Sequence, residues 1–176
     1  DLATLVRTVH TPAWKLRPAY TPIFCLYYSD GTYQGQGYIG AWKGSSYIVS
    51  ISGESKARET FTVSGANRTV SKVLVRLKKS GSPGGLAVRL EYSNGALIEE
   101  GTIPNSSIKT EYDWVTYAFQ SNHILESGRS YNLILSAPVG DSYQIYAVQE
   151  GDIPYGFYCP NLYKNGHFQI TSNSQW

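Results

Sequence analysis

Aromatic side chains set among glycines are the most chemically suggestive feature of this sequence. Tyr33, Tyr38 and Trp42 lie in residues 31–44, a segment rich in glycine. Flat aromatic rings pack against the apolar faces of sugar rings, and they lose little conformational entropy on binding. Glycine lets a loop bend so that its rings project from the surface. We therefore predict a ligand platform here; the alternative is that the rings fold back over one end of the domain.

Two further groups of side chains are candidates for binding the hydroxyl groups of a sugar. The first comprises Arg76, Arg89 and Glu91, which we predict to line a groove on one face of a sheet. The second comprises Tyr155 and Tyr158 in a late loop. Guanidinium, carboxylate and phenol groups all hydrogen-bond hydroxyls. The alternatives are solvated strand residues for the first group and packing for the second.

Patterns typical of catalysis are weak, and we predict that the chain is not an enzyme. Glycosidases place two carboxylates on either side of a cleft. Glu111 and Asp113 are two residues apart, and Glu99 and Glu100 are adjacent. We interpret all four as solvated charges beside turns. Residues 35–40 match G-x-G-x-x-G, but neither a following helix nor a β-α-β unit is indicated, so we expect a glycine loop and not a nucleotide site.

Composition and charge limit the compartment and the partners. A length of 176 residues fits one domain, and a net charge of +2 is too weak to indicate nucleic acid or an anionic membrane as partner. The sequence starts at Asp1 and contains no Met, so we expect a piece of a longer, secreted protein. Cys25 and Cys159 could then form a disulfide; the alternative is two buried thiols.

Alternation of apolar and polar residues predicts the elements that must position these side chains. In residues 72–79, Val73, Val75 and Leu77 fall on one side of a strand, and Arg76 and Lys78 fall on the other. The same period of two recurs in residues 86–92, 115–119 and 131–135. Because such strands bury one side each, two sheets must pack face to face.

The fold class that we predict is all-β: an antiparallel β-sandwich, jelly-roll-like, with about ten strands and no helix. Long polar connections favour crossings between sheets over a simple meander. We expect a single domain over residues 1–176, in which residues 1–55 are an N-terminal extension or extra strands packed on the sandwich. Residues 120–130 are expected to form a corner.

Residues 57–149 carry a resemblance to a known class of domain. The strings are those of residues 58–63, 73–77, 86–90 and 114–119, together with Leu125, Gly128 and residues 131–133. This segment, about half of the chain, resembles the β-jelly-roll carbohydrate-binding-type accessory modules of secreted bacterial glycoside hydrolases. The resemblance is architectural and includes no catalytic signature.

The resemblance implies a non-catalytic module of a secreted or extracellular protein that binds a polysaccharide or other glycan. Such a module delivers a neighbouring catalytic domain of the parent protein to its substrate. It also implies a structural calcium ion as a candidate cofactor, for which the sequence indicates no ligand set. The alternatives are a structural or adhesion sandwich that contacts proteins or spaces domains, and a small glycosidase or lyase.

Overall fold

The computed structural model describes the backbone of residues 14–16, 20–22, 24–35, 46–53, 55–149 and 166–171. Side chains and their contacts are described for residues 25–32, 48–53 and 55–146. The described backbone forms thirteen strands and one short 3-10 turn, Asn105–Ser107. The strands are β1 (Trp14–Leu16), β2 (Tyr20–Pro22), β3 (Phe24–Tyr28), β4 (Tyr33–Gly35), β5 (Ser46–Ile51), β6 (Lys56–Thr62), β7 (Arg68–Lys79), β8 (Leu86–Tyr92), β9 (Leu97–Ile103), β10 (Asp113–Leu125), β11 (Ser130–Ser136), β12 (Tyr143–Gln149) and β13 (Gly166–Thr171).

The strands form two antiparallel sheets. Sheet A has the order β1-β13-β6-β11-β8-β9. Sheet B is built around β7, which pairs with β10 along one edge and with β3 and β12 along the other. At the margins of the sheet, β4 pairs with β3, and both β5 and β2 pair with β12. From β6 onward the chain changes sheet at most connections, as in a jelly roll. The predicted antiparallel sandwich is confirmed, and the N-terminal strands are part of both sheets.

The core lies between the sheets and follows the predicted alternation. Val73, Val75 and Leu77 of β7 are at most 1% exposed, and they belong to one cluster with apolar residues of sheet A. Tyr131 of β11 is fully buried beside Phe61 of β6, with 5.9 Å between the ring centroids. Side chains from both inner faces thus exclude water from a single interior.

One strand extends well beyond its predicted end. The expected corner at residues 120–130 is wrong for its first half, because β10 continues to Leu125. Its register with β7 shifts between Ala118 and His123, and pairing then resumes as far as Leu125 opposite Arg68. A bulge of this kind lets a strand bend and continue through polar residues, which local pattern alone assigns to a turn.

A carboxyl group interrupts the apolar interior. Glu59 lies on the inward side of β6, between Ala57 and Phe61, and it is 4% exposed. Its Oε2 has no hydrogen-bond partner. Burial raises the pKa of Glu59 well above its ordinary value, because the apolar surroundings disfavour the charged form. In the part of the chain that the structure describes, no helix is long and apolar enough to cross a membrane.

Candidate functional site

The outer side of sheet B gathers aromatic and basic side chains. We call it the aromatic–basic face and define it by eight partly exposed residues: Tyr27, Lys72, Arg76, Lys78, Tyr112, Trp114, Gln144 and Tyr146. The three basic residues belong to β7. They project outward because successive strand residues point to opposite sides of the sheet and their neighbours Val73, Val75 and Leu77 are buried in the core. Neighbouring strands supply the rings, and Tyr112 stands immediately before β10.

Each outward cation of β7 lies over a tyrosine ring. The distances to the ring centroid are 4.8 Å from Lys72 Nζ to Tyr27, 5.0 Å from Arg76 Cζ to Tyr146, and 4.9 Å from Lys78 Nζ to Tyr112. These distances are those of cation–π contacts, which restrain a long side chain without neutralising its charge. The three cations therefore remain available to an anion.

The rings form a connected array around Arg76. Tyr112 and Tyr146 meet edge to face, with centroids 5.1 Å apart, and burial followed by the repulsion from Tyr146 raises the pKa of Tyr112. The Tyr112 hydroxyl faces Gln144 Oε1 at 3.4 Å. Trp114 is opposite Arg76 in the register of β10 with β7. Arg76 thus lies between aromatic residues contributed by the strands on either side of it.

Sheet B is strongly biased toward positive charge. Its strands contain five basic residues, all on β7, and one acidic residue, Asp113. The Asp113 carboxylate accepts a hydrogen bond from Lys109 Nζ and one from the Trp114 amide, and these bonds, in that order, lower its pKa. Its ion pair is with Lys109, outside the face, and the charge of Arg76 makes a smaller contribution to lowering the pKa of Asp113.

The predicted groove of Arg76, Arg89 and Glu91 is wrong, because β7 and β8 belong to different sheets. Only Arg76 lies on the aromatic–basic face. Arg89 and Glu91 lie on the outer side of sheet A, where Arg89 donates to Glu91 at 2.8 Å and faces Glu100 at 3.3 Å. Asn132 Nδ2 donates to Glu91 Oε1 at 3.0 Å. These groups satisfy one another, which leaves little capacity for a ligand.

Most of the other predicted site residues lie outside the described part of the chain. Tyr33 begins β4, but its side chain is not among those described, and four rings lie outside altogether: Tyr38, Trp42, Tyr155 and Tyr158. Cys25 is a buried free cysteine whose pKa is raised to about 11, chiefly by burial. The structure therefore has a buried thiol at Cys25 in place of the predicted disulfide, and Cys159 lies outside the described residues. Among the described residues, no group of three or more His, Cys, Asp or Glu could hold a metal.

Two of the carboxylates considered for catalysis, Glu99 and Glu100, lie on opposite sides of β9. Glu100 points outward to Arg89, whereas Glu99 connects the edge of sheet A to β10. Glu99 accepts hydrogen bonds from the Tyr117 hydroxyl at 2.9 Å and the Gln120 amide at 2.8 Å, and its Oε2 lies 2.6 Å from His123 Nε2. Burial alone would raise the pKa of Glu99, but these bonds outweigh it and lower the pKa. This arrangement fastens the two sheets together.

Replacing Glu99 with Gln is expected to lower the free energy of unfolding at pH 7 by about 1–2 kcal/mol, since charged hydrogen bonds are weakened. A carboxyl with a lowered pKa stabilises the fold above its unfolded pKa and loses that effect as pH falls through the folded value. Urea unfolding between pH 3 and pH 7 should therefore show a shallower acid loss in Glu99→Gln. Exposed Glu111 provides the control, and an equal change in Glu111→Gln would contradict the assignment.

Sequence reasoning missed most of the aromatic–basic face. It placed Arg76 and Lys78 on one side of a strand, but the partner rings come from segments distant in sequence. The nearest signal was Trp114, which has the parity opposite to that of Val115 and Tyr117.

Comparison of the chain with protein-family models, curated proteins and solved structures gives no match. The chemistry of the face itself must therefore carry the functional argument.

Proposed function

We propose that this chain is a non-catalytic carbohydrate-binding module and that it binds polysaccharide across the aromatic–basic face. The observation that carries the proposal is the array of Tyr112, Trp114 and Tyr146 around Arg76 on one partly exposed side of a rigid sheet. Rings offer stacking surfaces for sugars, and Arg76 and Gln144 offer groups that hydrogen-bond hydroxyls. Strand positions hold them with little entropy left to lose on binding.

The proposed role is that of an accessory module in a secreted protein. It would bring a neighbouring catalytic domain close to a polysaccharide and so raise the effective concentration of substrate. The alternative is a structural or adhesion sandwich. The two differ in one respect that can be measured directly, because a spacer has no affinity for glycans.

Substitution of the rings should reduce the retardation of the protein in gels that contain its polysaccharide. We expect Trp114→Ala and Tyr146→Ala each to weaken binding by about tenfold, equivalent to about 1.4 kcal/mol, through loss of a stacking surface. Leu97→Ala is the control, because Leu97 is 52% exposed on β9 of the other sheet. Folded protein that no neutral or acidic polysaccharide retards would refute the proposal and favour the structural alternative.

A further inference from the structure

We infer that the polysaccharide bound by the aromatic–basic face is a polyuronate, a chain whose sugar rings carry carboxylates. This inference rests on the proposed function and adds the chemical class of the ligand. The observation behind it is charge: the face carries three cations, Lys72, Arg76 and Lys78, and none of its eight residues is acidic, although the whole chain has a net charge of only +2. A face of this kind attracts anions and repels cations.

The cations on the outer sides of the two sheets have different kinds of partner. On sheet A, Arg89 is paired with Glu91 at 2.8 Å and lies 3.3 Å from Glu100. On sheet B, the outward cations of β7 lie against rings at 4.8–5.0 Å. A ring attracts a cation but carries no net charge, so each of these cations can still pair with a carboxylate.

The spacing of the cations suits a polymer. At about 3.3 Å per residue along a strand, Lys72 and Lys78 are about 20 Å apart, with Arg76 between them. A row of that length spans several sugar units. Each cation has one ring beside it, so the face offers charge and stacking surface together, as a ligand with both carboxylates and apolar ring faces requires. The planar guanidinium of Arg76 fits a carboxylate with two parallel hydrogen bonds.

Densely sulfated glycans and nucleic acids fit the face less well. A densely sulfated chain carries more than one charge per sugar, so closely spaced cations with no aromatic rings between them would bind it better. Single-stranded nucleic acid needs a groove that is positive along its whole course, and the low net charge does not provide one. A neutral polysaccharide would use Arg76 only as a hydrogen-bond donor and would leave the positive charges of all three cations unpaired.

The test compares probes on the purified protein by affinity gels and titration calorimetry. The probes are polygalacturonate and alginate, neutral xylan and galactomannan, dextran sulfate, and single-stranded oligo-dT. We expect the two polyuronates to bind and added salt to weaken that binding. Arg76→Gln should reduce the affinity by about tenfold or more, and Arg76→Lys should reduce it less. Lys56→Gln, which removes the same charge from exposed Lys56 on the outer side of sheet A, should leave it unchanged.

Each other outcome overturns the inference in a distinguishable way. Binding of neutral polysaccharides alone, lost in Trp114→Ala, would refute the polyuronate and leave the proposed function standing. Binding of dextran sulfate without polyuronate would also refute the carboxylate assignment. Oligonucleotide binding that depends on Arg76, or no binding by any probe, would refute both. Circular dichroism of each variant separates loss of a contact from loss of the fold.

Discussion

Replacing Glu59 with methionine is expected to raise the free energy of unfolding at neutral pH by about 1–3 kcal/mol. Glu59 is 4% exposed among apolar side chains, and its Oε2 has no hydrogen-bond partner. A buried polar group without a partner loses its hydration and gains nothing in return. Methionine has a similar length and adapts its shape to irregular space, so the substitution removes the polar cost without opening a large cavity.

The same residue should give the protein a characteristic pH dependence. The unfolded chain releases the Glu59 proton near the ordinary pKa of 4.5, whereas burial raises the folded pKa well above it. Between those two values folding takes up a proton, so stability is greatest below the unfolded pKa and falls as pH rises toward the folded pKa. The slope for one proton is about 1.4 kcal/mol per pH unit.

Urea unfolding between pH 4 and pH 9 checks both effects. Glu59→Gln should flatten the slope without the full gain in stability, because the amide is still polar, and Glu59→Met should show both effects. Glu91 is the matched control: it is 6% exposed, but Arg89 and Asn132 donate to it. Glu91→Gln should therefore destabilise the fold. Identical pH slopes in the wild type and Glu59→Gln would contradict the interpretation.

Substitution of Gly101 by alanine is expected to destabilise the protein by about 2–4 kcal/mol. A Cβ at this position would clash with the Tyr117 hydroxyl and approach its ring carbons to 2.8 and 2.9 Å. The ring has little freedom to move, because Tyr117 donates to Glu99 at 2.9 Å and packs edge to face on Phe119 with centroids 5.4 Å apart. The cost combines overpacking, about 1–3 kcal/mol, with a lost hydrogen bond of about 1 kcal/mol.

A double-mutant cycle distinguishes this clash from a general effect of substitution in β9. Tyr117→Leu removes the obstructing ring, so Gly101→Ala should cost much less in that background than in the wild type. Thermal and urea unfolding of the four proteins give the coupling energy. Strictly additive effects would show that the tyrosine is not the obstacle. The change should leave the proposed glycan binding unaffected, since Gly101 lies outside the aromatic–basic face.

Local pattern determined the strands of this protein and the inward or outward direction of their side chains. The predicted strand 86–92 coincides with β8, and the predicted segments 115–119 and 131–135 lie within β10 and β11, because a period of two is a property of neighbouring residues. The same pattern places the side chain of Arg76 on the other side of the strand from those of Val75 and Leu77. It does not state which sheet a strand joins, and for that reason Arg76 and Arg89 were assigned to one groove.

Only the tertiary structure decided which side chains meet. Tyr112 and Tyr146 come from different parts of the chain, and Arg76 reaches Tyr146 because β7 and β12 pair in one sheet. Glu59 has the inward parity that a sequence pattern reveals, but its missing partner depends on what surrounds it in three dimensions. Alternation follows from the geometry of a single extended strand, whereas sheet membership and contacts depend on pairings between distant segments, which no local pattern encodes.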